Sequence, residues 1–227
     1  MVAARPGPGN PPSDPRDGYD ARVSVTVVDH PLAGHLLTQL RDERTEPPVF
    51  RTLAKRLAFA ITLEAIRDLP TTATRVQTPL EETDGHVVGD LVAVPILRAG
   101  LGMLEAVTDL FPEVAVGYIG LERDEASLEP QSYYRKLPDV RGCHVLVLDP
   151  MLATGGSGSA ATAAVKEGGP ASIGFVCVVA APEGIRKMEA DHPDVPIFTA
   201  AIDRQLNERG YIIPGLGDFG DRLFGTE

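Results

Sequence analysis

The run from Cys143 to Ser157, CHVLVLDPMLATGGS, constrains the fold more than any other part of the chain. Val145-Leu146-Val147-Leu148 is a short apolar run of the kind found in a strand buried on both faces of a parallel sheet. Asp149 ends it, Thr154-Gly155-Gly156-Ser157 follows as a small turn, and Ser157 to Lys166 has helical composition. Strand, acid, turn and helix start together predict a cradle for a phosphorylated sugar. The turn offers unpaired N–H groups, its glycines admit a close anion, and the helix start carries partial positive charge. An Asp at a strand end, taken alone, reads better as a helix cap. The whole run carries the inference.

Around this run the chain alternates. Val92 to Leu97 reads as a strand, Gly100 to Leu110 as a helix and Val114 to Leu121 as a strand. Ser172 to Val179 is a further buried strand, Pro182 to about Ala190 a helix opened by proline, and Val195 to Ile202 a last strand. The pattern predicts an α/β fold, a parallel sheet flanked by helices, with ligands at the carboxyl ends of the strands. Arg98, Arg123 and Asp149 each fall at or just beyond such an end. Upstream, Val23 to Val28 alternates like a strand and Leu32 to Arg41 looks helical. A longer helix follows Pro47-Pro48, with Phe50, Leu53, Leu57 and Ile61 on one stripe, and ends near Leu69-Pro70. Arg75 to Leu80 and His86 to Leu91 flank Asp84-Gly85 as a hairpin. Arg123 to Leu137, polar and holding two tyrosines, reads as a protruding β-arm. Residues 1–19, rich in Pro, Gly and Asp, read as a disordered tail, and residues 20–227 as a single domain.

The net charge is −11, which disfavours bulk nucleic acid and anionic membranes as partners but leaves room for a local anion pocket. The two cysteines, Cys143 and Cys177, lie in apolar runs and read as buried core thiols rather than a disulfide or metal pair. There is no long apolar span and no signal-peptide pattern, so a cytoplasmic location is expected.

Two further segments bear on chemistry. In Val94-Pro95-Ile96-Leu97-Arg98-Ala99-Gly100-Leu101-Gly102 a guanidinium stands at a strand end before small residues, an arrangement open to an anion. The C-terminal segment Gly210 to Glu227 is dense in glycine but interleaved with Ile, Leu and Phe. It therefore reads as a packed loop whose backbone groups can face a flat heterocycle.

These segments resemble the uracil branch of the phosphoribosyltransferases, which use phosphoribosyl pyrophosphate (PRPP). DPMLATGG resembles the ribose-phosphate loop, VPILRAGLGM the pyrophosphate loop, LERDEASLEP the family's MYRNEETLEP-type region, and YIIPGLGDFGDR the uracil-binding segment. The likeness covers about Val25 to Glu227. It implies the type I phosphoribosyltransferase fold and the reaction uracil + PRPP → UMP + pyrophosphate. It also implies a PRPP site of Arg98, Arg123, Asp149, Pro150, Met151, Leu152, Ala153, Thr154, Gly155, Gly156, Ser157 and Asp218. Asp149 holds the ribose hydroxyls in that scheme, Thr154-Gly155-Gly156 the 5′-phosphate, and the Arg98–Ala99 peptide is cis. Uracil falls to Ile212, Gly217, Asp218 and Phe219, with Asp218 as the catalytic candidate. Many phosphoribosyltransferases carry a second acid where Pro150 stands, and its replacement disfavours purine-type enzymes and matches the uracil branch; many bacterial members of that branch have Ala where Phe219 stands. The first difference argues against a metal held by the loop itself, so Mg2+ is expected to arrive with PRPP. The second is expected to crowd substituents on the base. The resemblance further implies a homo-oligomer and admits GTP as an activator. His30, His35, His86, His144 and His192 read as core or surface residues. The rival readings are an RNA-binding regulator of the same fold, a non-catalytic nucleotide sensor, and an enzyme for another base. The acidic balance, the intact Arg98, Asp149 and Thr154, and the C-terminal loop weigh against them in turn.

Overall fold

The computed structural model describes residues 24–123 and 130–226. The expected tail at 1–19, and the tip of the expected arm, lie outside the described residues. In chain order the elements are β1 (Val25–Val27), α1 (Pro31–Arg41), α2 (Pro47–Ala65), β2 (Thr71–Gln77), β3 (Glu82–Val88), β4 (Leu91–Leu97) and α3 (Leu101–Leu110). Then come β5 (Ala115–Val116), β6 (Tyr118–Arg123), β7 (Pro130–Lys136), β8 (His144–Leu148), β9 (Met151–Leu152) and α4 (Gly156–Lys166). The remainder is β10 (Ser172–Val176), β11 (Val179–Ala180), α5 (Pro182–Asp191), β12 (Ile197–Thr199), β13 (Ala201–Ile202), β14 (Gln205–Leu206), β15 (Ile212–Ile213) and α6 (Phe219–Phe224).

The main sheet runs β1-β12-β10-β8-β4-β6-β7, and every neighbouring pair is parallel except β6 with β7. Each central strand sends alternate side chains to opposite faces. Leu146 and Leu148 of β8 join Ala93 of β4 and Val176 of β10 in a core shared with α1, α2, α3 and α6. Val145 and Val147, with Val92, Val94 and Phe175, build the other core with α4 and α5. Both faces are thus covered by helices, which is why these strands read as continuous apolar runs. The stripe Phe50, Leu53, Leu57 and Ile61 of α2 is buried as its spacing requires.

Two strands expected to run straight through, Ser172 to Val179 and Val195 to Ile202, are broken, and a short strand follows the one that Asp149 ends. The chain leaves β8 at Asp149-Pro150 and resumes as β9, while β10 resumes as β11 and β12 as β13. The three short strands form their own parallel sheet, β13-β11-β9. Pro150 has no N–H for a ladder, and its carbonyl instead accepts from both Val178 N (2.9 Å) and Val179 N (3.1 Å). The extension carries the cradle loop beyond the end of the main sheet.

The β2–β3 hairpin exists, but its turn is not at Asp84-Gly85. Asp84 and Gly85 pair with Arg75 and Thr74 inside the ladder. The reversal is at Thr78-Pro79-Leu80-Glu81, where Thr78 N–H donates to Glu81 O (3.0 Å) and the Thr78 hydroxyl accepts from Leu80 N and Glu81 N. Pro79 supplies the fixed φ that such a turn favours at its second position. The arm is the antiparallel β6–β7 pair. Cys177 is buried as expected, but Cys143 is partly exposed just ahead of β8, because the turn before that strand lies at the surface. Among the described residues no helix is long and apolar enough to cross a membrane.

Candidate active site at the carboxyl ends of the parallel strands

β4, β6 and β8 run parallel toward the same end of the sheet: Leu148 stands opposite Pro95, Leu97 opposite Gly120, and β6 runs on to Arg123. This brings Arg98, the backbone of Arg123 and Asp149 to one edge of the sheet. Gly100 makes the approach of the first and third possible, since a Cβ there would lie 2.4 Å from Leu148 O. The cis peptide is Leu97–Arg98 and not Arg98–Ala99. The reversal thus falls at the last strand residue, and Gly100 N–H returns to Ile96 O at 2.9 Å. The Arg98 guanidinium is well exposed. It lies 3.6 Å from Asp221 Oδ1 and 5.9 Å from the centre of the Phe224 ring, both on α6.

Asp149 is half-buried at the strand end, and its Oδ1 accepts from Met151 N at 3.4 Å. Burial pushes its carboxyl up to about 7, and the Met151 hydrogen bond offsets this only partly. The acid is therefore a strong acceptor when ionised and poorly compensated by the protein itself. The turn behind it holds Gly155 at φ 83°, a left-handed conformation that also places it against Gly184 O of α5. Gly156 N–H points to Thr154 Oγ1 at 3.5 Å, and α4 begins there. The cradle is thus a hydroxyl, two glycines and a helix start, as its sequence predicts.

The C-terminal segment forms the facing wall. Ile213–Pro214 is a cis peptide, and Asp218 caps α6 by accepting from Asp221 N at 2.9 Å. Phe219 is buried, with its ring edge-on to Phe50 at 5.1 Å between centroids. That pair adds about 1 kcal/mol beyond burial. The ring packs against α2, and Phe219 also lines the pocket facing the cradle. Between the loops lies a pocket of about 290 Å³, lined on one side by Ala99, Met151 and Ala153 and on the other by Arg209 to Ile212 and Gly217 to Gly220. Two segments more than fifty residues apart in sequence therefore share one cavity.

Sequence reasoning missed the residues that hold this wall in place. Arg41 of α1 grips Asp203 with two hydrogen bonds (2.6 and 2.8 Å) and donates to Gly215 O (2.7 Å). Asp203 in turn accepts from Gly215 N (2.8 Å). Arg222 donates to the carbonyls of Leu40, Leu216 (2.7 Å) and Asp42 (2.6 Å), with its guanidinium 4.5 Å from the Phe50 ring centre. Their partners are up to 182 residues away, so no local pattern marks them. Ala99, Arg209 and Tyr211 line the pocket beside expected residues and were likewise not singled out.

A half-buried acid at a parallel strand end, a glycine-rich turn at a helix start and an exposed guanidinium form the kind of site that suits a phosphorylated sugar. A family model for uracil phosphoribosyltransferase matches residues 27–226. Curated relatives of that name are 53% identical over 206 residues in Dictyoglomus turgidum (89% of this chain, 100% of the relative) and 52% identical over 208 residues in Roseiflexus sp. (90% and 99%). A solved structure, the AQ2163 protein from Aquifex aeolicus, superposes with a TM-score of 0.86 at 38% identity, covering 89% of this chain and 99% of the other. The chain belongs to the uracil phosphoribosyltransferase family.

Proposed function

We infer that this protein transfers the 5-phosphoribosyl group of PRPP to uracil, giving UMP and pyrophosphate, and so recovers free pyrimidine. The observation that carries the reading is the shared pocket, with the cradle loop on one wall and the glycine-rich segment on the other. In this reading Thr154, Gly155, Gly156 and Ser157 receive the 5′-phosphate at the start of α4, and Asp149 accepts hydrogen bonds from the ribose hydroxyls. Met151 and Ala153 line the pocket, with Pro150 and Leu152 buried behind them. Ile212, Gly217, Asp218 and Phe219 offer main-chain groups to the base.

The C1′–O bond to pyrophosphate breaks as the bond from base N1 to C1′ forms, and charge grows on the leaving group. Arg98 and Arg123 are the cations assigned to it. Opposite charge placed where charge develops lowers the barrier, and fixing two reactants in one cavity contributes about 7–11 kcal/mol. PRPP enters as its Mg2+ complex. A single acid, Asp149, followed by Pro150 at the strand end supports a metal that arrives with the substrate.

The reading includes a homo-oligomer, supported by the hairpin and arm that extend from the sheet, a cytoplasmic setting, and no nucleic-acid or membrane partner, supported by the net charge of −11. GTP as an activator belongs to it through family resemblance alone. Labelled uracil with PRPP and Mg2+ is expected to yield UMP and pyrophosphate. Turnover confined to hypoxanthine, guanine or orotate would overturn the assignment. Initial rates with and without GTP test activation in the same assay.

A further inference from the structure

The base must give up its N1 proton, and the pocket has an unusual complement of groups for that task. Among the described residues that line it, the ionisable side chains are Asp218, Tyr211 and Arg209, with no histidine or lysine. Asp218 already spends Oδ1 on the N–H of Asp221. As a carboxylate it also raises the cost of a second negative charge nearby. Arg209 is the one cation on the lining. Its guanidinium has no hydrogen bond or ion pair with any described residue, unlike those of Arg41, Arg44, Arg67 and Arg222.

The root of that side chain is fixed. Asn207 Oδ1 accepts from Arg209 N and Tyr211 N (2.9 Å each), Gly210 N donates to Asn207 O (2.9 Å), and Asn207 N donates to Tyr211 O (2.8 Å). This closed turn leads directly into β15 and Ile212. A guanidinium without a partner among the described residues thus stands on a hydrogen-bonded turn at the pocket wall.

Resting on the functional reading above, we propose that Arg209 binds the pyrimidine in its N1-deprotonated form, stabilising the negative charge that spreads onto the ring carbonyl oxygens. Uracil releases its N1 proton to solvent water, the N1 electron pair forms the bond to C1′, and the C1′–O electron pair leaves with pyrophosphate. Arg209 makes a dedicated general base unnecessary. Its contribution is largest for bases whose ring proton is less acidic.

The test compares uracil with 5-fluorouracil, whose electron-withdrawing fluorine makes the ring proton more acidic, in the wild-type protein and in Arg209→Gln and Arg209→Lys. Arg209→Gln is expected to lower kcat/KM for uracil about tenfold, the effect of one pKa unit, but to lower that for 5-fluorouracil less than about threefold. Arg209→Lys, which keeps the charge, is expected to retain most of the uracil activity. Wild-type protein that makes no UMP would sink the functional reading. Wild-type turnover with equal losses for both bases in Arg209→Gln, or with no loss for either, would sink this inference alone.

Discussion

Asp149 carries two opposed demands at one side chain. Its carboxyl is pushed up to about 7 by burial, so between about pH 4 and 7 the folded protein holds a proton that the unfolded chain has released. Stability therefore falls as pH rises through that window, and the cost is fully present above pH 7. Asp149→Asn is expected to melt higher than wild type at pH 8, with the gap closing by about pH 4, as differential scanning calorimetry would read. The same variant is expected to lose PRPP turnover by about a hundredfold or more, because the amide presents a donor where the ribose hydroxyls need an acceptor. In the wild type, kcat/KM for PRPP is expected to decline below about pH 7 as the carboxylate is protonated. Unchanged kinetics in Asp149→Asn would remove the acid from the sugar site.

Gly155 belongs to the same scale. At φ 83°, and with a Cβ position 2.8 Å from Gly184 O, it has neither the conformation nor the space for a side chain. Gly155→Ala is expected to shift the start of α4 away from the incoming phosphate and to raise KM for PRPP at least about tenfold, while circular dichroism stays near wild type. Equal KM values would mean that the turn does not grip the phosphate.

Among the elements, the C-terminal loop is held by groups remote from it. Arg41 and the buried Asp203 carboxylate make a bidentate pair that also fixes both backbone groups of Gly215. Removing one partner leaves a buried charge uncompensated, at a cost of about 3–5 kcal/mol. Arg41→Met is therefore expected to lower denaturant stability by roughly that amount and to raise KM for uracil more than KM for PRPP. A parallel rise in both would place the loop away from the base.

The sequence made the elements of this site visible to different degrees. The cradle was legible because its parts are consecutive: an apolar run, an acid, a glycine turn and a helix. The wall opposite was legible as a packed loop from its interleaved Ile, Leu and Phe. Its anchors were not, since Arg41 meets Asp203 only through the tertiary fold. The broken strands were hidden too, because Val178 and Val179 are apolar like their neighbours and only Pro150, in the neighbouring break between β8 and β9, disturbs the ladder. Asp84-Gly85 misled because a turn-favouring pair outweighed Pro79, which sets the actual reversal.

Taken as a whole, the molecule buries two helix-covered faces of one sheet and leaves one element outside both. The β2–β3 hairpin pairs only with itself in the sheet network and lies apart from both cores, with Val76, Leu80 and Val87 exposed. A two-stranded hairpin is marginal by itself in water, and exposed valines on it suit a second copy of the chain. Val76→Glu with Val87→Glu is expected to shift the mass measured by sedimentation equilibrium toward the monomer. An unaltered mass would move the subunit contact elsewhere, with the β6–β7 arm next in line.

Arg222 joins four stretches of the molecule: the end of α1, the residue just past it, the glycine-rich loop and the Phe50 ring of α2. A knot of this kind makes tolerance to change a collective property. Homologues that alter Phe50, Phe219 or Arg222 are expected to alter them as a set, and single swaps between such homologues should show strong epistasis that disappears when the whole group is exchanged together.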